Sequence, residues 1–352
     1  MQRIHTQILW AMAAGALFTC TTVSVRGDTG FILKDTPGAY LDVLLDGRIV
    51  ARYMDAHDTS TRERQQETYK PYLHVFDAEG KAPITKGPGG LYTHHRGIFI
   101  GWNKIGFQGK TYDRWHMKGG DIVHQKFLRQ QAGPNQATFT SLTEWNDEAG
   151  QPLLEEERTM SFQRALAPGR LLIDFVSKLK ASRGDVNLDG DPEHAGIQYR
   201  PAQEVAVSET IYVFPHAKAD SHKEVDDPWI GETYVLGDRH YSVVDMNHPD
   251  NPKGSRISAY RDYGRFGYFP TMSIKSGDTL ALKYRFLIVD ADMPPADVIQ
   301  KCWDQFAGVA QPTPTPETCI MPAESKAAAK KGDAKKAGAK KRAGSKRTDK
   351  AN

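Results

Sequence analysis

Between residues 92 and 125 the chain concentrates side chains that can move protons, hold ions or lie flat against a ligand. They are His94, His95, Arg96, Trp102, Asn103, Tyr112, Trp115, His116, Asp121, His124 and Gln125. Imidazole changes charge near neutral pH and ligates transition metals. Arg and Asn bind hydroxyl and carboxylate oxygens, and an indole offers an apolar plate with one polar edge. The mixture suits a polyhydroxylated ligand, with acid–base or metal chemistry open. Three imidazoles converging would make a zinc, copper or iron site. His94 and His95 follow Gly87-Pro88-Gly89-Gly90. On a strand they would face opposite ways, and only in a loop could both enter one site. His116 and His124 flank Gly119-Gly120, where a hairpin could join them, and His194 is a further candidate.

Two other constellations carry charge. In the run 152–162, strand alternation puts Glu156 and Arg158 on the apolar side with Leu154, Met160 and Phe162. An inward Glu–Arg pair must be mutually satisfied, so it is either a structural clamp or part of a cleft in which Glu156 acts as base and Arg158 holds an oxyanion. The second constellation is Asp191, Glu193, His194, Gln198 and Arg200, where Gln198 and Arg200 share a strand face and could fork onto hydroxyl groups. The alternating Asp185, Asn187, Asp189 and Asp191 offer oxygen ligands but lack the twelve-residue calcium loop closed by Glu. Trp102, Trp115, Trp145 and Tyr112 are candidate sugar platforms, or core.

Such groups need a scaffold, and the pattern around them is β. Leu41 to Leu45, the turn Asp46-Gly47 and Ile49 to Met54 read as a hairpin with a type I′ turn. Period-two runs continue to Thr279–Val289, where Leu280, Leu282, Tyr284, Phe286 and Ile288 share a face opposite Lys283 and Arg285. One helix is expected, opened by Pro294-Pro295 and striped with Val298, Ile299, Cys302, Trp303 and Phe306. A dozen strands with one late helix predict an all-β fold, a large antiparallel β-sandwich similar to mutarotase-like supersandwiches, over residues 28–310. No glycine-rich phosphate loop follows a strand, which argues against nucleotide binding.

The ends differ from this body. Residues 1–27 read as a signal peptide: a basic Arg3, then an apolar run from Ile8 to Phe18, short of the roughly twenty residues that span a bilayer. An exported protein, periplasmic or extracellular, is expected, in which Cys302 and Cys319 could pair. Residues 311–352 form a Pro/Thr spacer followed by a tail with eleven Lys or Arg against Asp333 and Asp349. The whole chain is only +3, so the basic character lies in the tail and the body is acidic. A tail of this composition is expected to be disordered. An anionic surface polymer is its expected partner rather than a specific nucleic acid, and no membrane span is foreseen.

Several runs resemble one family: Lys-Pro-Tyr-Leu-His-Val-Phe at 70–76, Thr-His-His-Arg-Gly-Ile-Phe-Ile-Gly-Trp at 93–102 and Glu-Glu-Arg-Thr-Met-Ser-Phe at 156–162. Asp-Pro-Glu-His-Ala-Gly-Ile-Gln-Tyr-Arg at 191–200, Asn-His-Pro-Asp-Asn-Pro at 247–252 and Arg-Asp-Tyr-Gly-Arg-Phe-Gly at 261–267 complete the set. In this order they are similar to the bacterial domain-of-unknown-function family labelled "methane oxygenase PmoA". The resemblance implies an exported protein, and by association carbohydrate chemistry. The label itself implies a metal-dependent oxygenase, although the methane monooxygenase subunit of that name is an integral membrane protein.

The expectation is a secreted carbohydrate-active enzyme working by hydrolysis, elimination or epimerisation. In it His95 or His116 acts as general acid or base and His194 as the partner acid. Arg96, Arg158 and Arg200 hold oxyanions or carboxylates, and Trp102 and Trp115 form the platform. Asn103, Tyr112, His124 and Gln198 complete the ligand contacts. The alternatives are a non-catalytic glycan-binding module and a metal-dependent oxygenase. The cofactor is left undefined, with a divalent metal as its one named candidate.

Overall fold

The structure, a computed structural model, describes residues 29–320 except Pro192. The expected signal peptide and basic tail lie outside the described residues, as does the side chain of Cys319. Cys302 is a free thiol.

Strand pairing is antiparallel throughout the described sheets. A six-stranded sheet runs Phe31–Thr36, Tyr40–Leu45, Arg48–Met54, Tyr72–Val75, Ile98–Trp102, Ala195–Tyr199 in spatial order. A nine-stranded sheet runs Glu317–Ile320, Ile211–Phe214, Trp229–Leu236, Arg239–Asn247, Thr279–Val289, Leu171–Lys180, Pro152–Arg164, Gln136–Asn146, Ile122–Ala132. The fold is therefore all-β and a large sandwich, as the period-two pattern requires. Its second sheet extends past residue 310, where Glu317–Ile320 pairs with Ile211–Phe214 and covers an otherwise open edge. A smaller sheet joins Met272–Ile274, Val186–Asp189, Lys104–Phe107 and Lys110–Tyr112.

Alternation decides which layer each residue enters. On Thr279–Val289, Leu282, Tyr284, Phe286 and Ile288 join the core between the large sheets, beside Tyr53, Leu73, Ile100, Phe139, Met160 and Phe175. Leu287 and Val289 face the other way, into a second apolar cluster with Val244, Met246 and the helix residues Ile299 and Trp303. The helix Ala296–Ala307 so covers the outer face of the nine-stranded sheet, and its expected stripe is the one it buries. The Asp46-Gly47 turn has positive φ at both residues, 51° and 78°, as a type I′ hairpin demands. A second helix, Arg62–Thr68, was not foreseen. It is polar and seven residues long, with no apolar stripe to betray it, and it begins where Thr61 accepts the Arg64 N–H at 3.1 Å.

Several expected site residues belong to this scaffold. Glu156 and Arg158 are fully buried between the sheets and bonded to each other at 3.0 and 2.7 Å. Glu156 also accepts the indole N–H of Trp145 at 2.8 Å, and Arg158 donates to the Pro71 carbonyl at 3.2 Å. The pair is a clamp rather than an acid–base site, because every strong donor and acceptor on it is committed. Trp102 and Trp145 have no exposed surface, lie against each other and cannot be platforms; Trp102 donates to the Pro270 carbonyl at 2.9 Å. Arg158→Ala leaves the Glu156 carboxylate buried without its counter-ion and is expected to cost about 3–5 kcal/mol. Urea unfolding of the two forms measures this, and a change within error would show that the clamp does not hold the sheets.

Candidate functional site

Three histidines from distant parts of the chain meet. One nitrogen each from His94, His116 and His194 lies within 4.8 Å of the others. The ring centroids of His94 and His116 are 4.4 Å apart, those of His116 and His194 4.8 Å.

Two of the three are held by the same local device. In Asp113-Arg114-Trp115-His116, Asp113 Oδ1 accepts the backbone N–H groups of Trp115 and His116 at 3.0 and 2.8 Å, and Oδ2 faces His116 Nδ1 at 2.9 Å. In Asp191-Pro192-Glu193-His194, Asp191 Oδ1 accepts the Glu193 N–H at 3.0 Å and meets His194 Nδ1 at 2.6 Å. These are Asx turns, which aspartate forms because its short carboxylate reaches its own backbone two or three residues on. Each holds the Nδ1–H tautomer and leaves Nε2 free, the second-sphere arrangement of metal-ligating histidines. Asn103 donates to Asp191 Oδ2 at 2.7 Å and so positions His194 through the carboxylate, a role that differs from the direct ligand contact expected of it.

The strand Ile98–Trp102 anchors both turns. The Arg114 N–H donates to the Trp102 carbonyl at 2.8 Å, and the Asn103 N–H to that of His194 at 2.9 Å. Arg114 is fully buried and wires its own turn together, donating to the carbonyls of Asn146, Asp113 and Gly119 at 2.8, 2.7 and 2.9 Å. Gly120, at φ 134°, must be glycine: a Cβ there would lie 2.2 Å from the Asn146 carbonyl oxygen. His94 arrives from the glycine-rich loop, which Lys86 fastens by donating to the Gly89 carbonyl at 2.6 Å.

Burial disfavours the charged form of two of these histidines. Burial, then the charges of Lys70, His116 and His194, lowers His94 to about 2, and its buried Nε2 has no partner. Burial also lowers His194, partly offset by Asp191. For Asp113, burial pushes the carboxyl up, but bonds from the His116 ring and backbone outweigh it and hold the group below its usual range. Three imidazoles backed by two carboxylates can hold a zinc-like divalent ion. Nitrogens around a tetrahedral zinc lie roughly 3.3 Å apart, inside the 4.8 Å within which these three lie.

His94 and His116 line a cavity of about 660 Å³, with His57, Gln65, Tyr69, Asp121 and Glu148 among the other walls. Asp121 Oδ2 binds both His57 Nε2 and Gln65 Nε2 at 2.9 Å, joining the Arg62–Thr68 helix to the wall. His57 was not identified from the sequence. It stands alone between strand and helix, and no spacing ties it to the distant Asp121. The repeated Asp-x-x-His spacing at 113–116 and 191–194, not singled out from the sequence, is a signal that could have marked the centre.

The remaining expected residues sit elsewhere or do something else. Arg96 donates to the carbonyls of Gln66, Glu67 and Thr93 at 2.7, 2.8 and 2.9 Å, so it caps the Arg62–Thr68 helix instead of holding a substrate oxyanion. Arg200 is buried and donates to the carbonyls of Pro201, at 3.0 Å, and Tyr263. Gln198 is buried and donates to the Arg96 carbonyl at 3.2 Å. Neither can fork onto a ligand in the cavity. Trp115 has no exposed surface and lies edge-on to His95 and His194, under the centre rather than beside a ligand as a platform. Tyr112 lies against the Arg114 guanidinium. His124 is bonded to Ser141 at 2.6 Å, apart from the triad, and burial lowers it to about 4. His95 is buried against Tyr92 and Tyr263, with both ring nitrogens unpartnered, so it does not reach the cavity as an acid or base. The Asp185–Asp191 run forms no calcium cage: Asp185 is tied to Lys275 and Ser276, and Asn187 to Ser273.

The sequence profile of a family described as "Family of unknown function (DUF6807)" matches residues 40–304. No curated protein matches the chain. Similar solved structures include heparan sulfate lyase HepC from Pedobacter heparinus, at 9% identity over 75% of this chain with a TM-score of 0.39. The chain spans 37% of that lyase's length. A β-arabinopyranosidase matches at 11% identity over 73% of this chain and 40% of its own, TM-score 0.35. A galactose mutarotase-like protein from Lactobacillus casei ATCC 334 matches at 9% identity over 74% of this chain and 100% of its own, TM-score 0.28. These are likenesses of β architecture, and nothing about the reaction is drawn from them.

The depressed His94 has a measurable consequence. Between its unfolded value near 6.5 and its folded value of about 2, the unfolded chain binds a proton that the native state refuses. Its contribution to stability is therefore full above the unfolded value and is lost as pH falls. In metal-free protein, His94→Gln is expected to gain stability relative to wild type as pH drops from about 7 to about 4. Urea midpoints across that range test it, and parallel profiles would mean that His94 titrates normally.

Proposed function

Because the chain belongs to the DUF6807 family, whose description assigns no activity, we propose its function from the site alone: a metal-dependent enzyme acting on a polyhydroxylated, carbohydrate-type substrate. The observation that carries this is the convergence of His94, His116 and His194, two of them clamped through Nδ1 by aspartates of identical spacing. A divalent ion held there would supply Lewis acidity toward an oxygen ligand in an open coordination position.

The chain's own residues do the rest. Asp113 and Asp191 keep two imidazoles in the ligating tautomer and offset positive charge. The cavity wall supplies amide, carboxylate and ammonium groups from Gln65, Asn146, Asp121, Glu148 and Lys118, set around Tyr69 and Met117. That alternation of hydrogen-bonding groups with small apolar patches suits sugar hydroxyls and C–H faces better than a flat hydrophobic ligand. The His57–Asp121 pair on the wall would carry the proton transfer to a bound hydroxyl or leaving group. The chemistry is hydrolysis, elimination or epimerisation, and the leader at residues 1–27 would place it outside the cytoplasm.

Metal analysis of the purified full chain tests the reading. About one divalent ion per chain is expected, absent from His116→Ala and His194→Ala, with Asp191→Asn binding it roughly 10–100-fold more weakly. Copper or iron with oxygen-dependent turnover would select the oxygenase chemistry of the PmoA label. A metal-free chain that binds oligosaccharide unchanged without the triad would make it a glycan-binding module instead.

A further inference from the structure

A second cluster of metal-binding groups lies on the connection 215–228, between the strands Ile211–Phe214 and Trp229–Leu236. His216 Nε2 stands 2.9 Å from Glu224 Oε2 and 3.3 Å from Asp227 Oδ1, and the three atoms lie within 4.8 Å of one another. Ligand atoms bound to one divalent ion at roughly 2.1 Å are separated by roughly 3–3.5 Å. The far side of two of these ligands is already committed. His216 Nδ1 faces the Ala217 carbonyl at 3.4 Å, and Glu224 Oε1 accepts the Asp220 N–H at 2.6 Å. Outer partners of this kind fix the tautomer and orientation of metal ligands.

A proton alone accounts poorly for the arrangement. An imidazole nitrogen carries one N–H, whereas two carboxylate oxygens face this one. Asp227, whose side chain is 9% exposed, has a further oxygen, Oδ2, that is buried without a partner. A buried carboxylate oxygen without a donor is costly. Among the described residues neither Glu224 nor Asp227 is paired with a lysine or arginine. Even a charged imidazole therefore leaves one negative charge in excess. A dication would meet all three side chains and neutralise both carboxylates, and ligation by both Asp227 oxygens would satisfy Oδ2 as well. The His216 side chain is half-exposed, so water can reach the cluster and complete a coordination shell.

The connection is stitched to the segment behind the His194 turn. The Glu224 carbonyl accepts the Ile257 N–H at 3.0 Å, and the Asp226 N–H donates to the Ser255 carbonyl at 3.0 Å. The Asp226 carboxylate accepts the N–H groups of Gly254 and Ser255, each at 2.8 Å. From the same segment Arg256 donates to the Gly190 carbonyl at 2.9 Å and Tyr260 to Glu193 at 2.6 Å, on either side of Asp191.

We propose that His216, Glu224 and Asp227 form a second cation site, for a zinc-like divalent ion, which fastens the connection 215–228 and through it braces the Asp191–His194 turn. One imidazole with two carboxylates favours such an ion over Ca2+ or Mg2+, whose shells are built from oxygen. The role is structural, and the site does not rest on the His94–His116–His194 centre.

The full chain, stripped with EDTA, is titrated calorimetrically with Zn2+ and separately with Ca2+. His116→Ala, which disables the first centre, is expected to bind about one Zn2+ per chain, and Asp227→Asn in that background to bind it at least about tenfold more weakly. In His116→Ala, Zn2+ is expected to raise the urea midpoint and to slow amide exchange at 190–194 and 254–260, and Asp227→Asn to remove both effects. Should Asp227→Asn fail to fold, His216→Gln, at a half-exposed position, reads the same loss. Absence of Zn2+ binding from His116→Ala overturns the site. So does binding that neither Asp227→Asn nor His216→Gln weakens, or a preference for Ca2+. Binding that leaves amide exchange unchanged overturns the brace. Equal Zn2+ uptake by wild type and His116→Ala would overturn the first centre and leave this one standing.

Discussion

Everything at the centre of this molecule depends on a carboxylate reaching forward three residues to an imidazole. Asp113 does this for His116 and Asp191 for His194; Asp113 also accepts two backbone N–H groups of its turn, and Asp191 one, with its Oδ2 taken by Asn103. The turn and the ring orientation are thus one hydrogen-bonded unit. Opening either turn would move the carboxylate that holds its histidine. That coupling matters because both turns lie in loops, where backbone freedom is otherwise largest.

The sandwich contributes rigidity of a particular kind. Its core presents almost nothing chemical, and its role is to fix the strand Ile98–Trp102, from which both turns hang. Between strand and loop the work falls to buried arginines. Arg96, Arg114 and Arg200 are almost completely buried, and each directs its guanidinium at main-chain carbonyls of connecting segments. An arginine has five donors in a plane and can satisfy three or four carbonyls that no helix or ladder would reach. The charge is tolerated because carbonyl dipoles surround it. Arg200 fits this pattern only through Nη1, its Nε and Nη2 having no partner, and Arg265 departs from it further, bonding a hydroxyl.

This division explains what could be read from the chain and what could not. Period two announced the sheets, and positive-φ residues at Asp46-Gly47 announced the hairpin. The late helix was legible because its stripe is apolar against a polar remainder. The Arg62–Thr68 helix was illegible because it is polar on every side and is held by caps and by Arg96. The histidines were legible as chemistry, but their meeting was not: His94, His116 and His194 come from three separate connections, and periodicity says nothing about loops. The arginines and tryptophans misled because a residue type reveals what a side chain can bond, not whether it faces ligand or backbone. Trp102 and Trp115 sit on or beside strands buried on both faces, where the outward side of the pleat is interior too.

The charges around the centre are set by burial and by the groups packed against it. Lys70 is buried against the site, its ammonium over the Phe99 ring at 3.4 Å and donating to the Trp115 carbonyl at 2.9 Å. Burial, and then the nearby Arg96, lowers its pKa well below the ordinary lysine value. Its charge and that of Arg265 both disfavour protonation of the histidines around them. Protons and metal ions compete for the same imidazole lone pairs, so a site that repels the proton leaves those lone pairs available at any ordinary pH. The penalty for a dication is offset by Asp113 and Asp191, whose carboxyls are both held below their usual range. Two carboxylates one bond away from the ligating rings match the charge of one divalent ion.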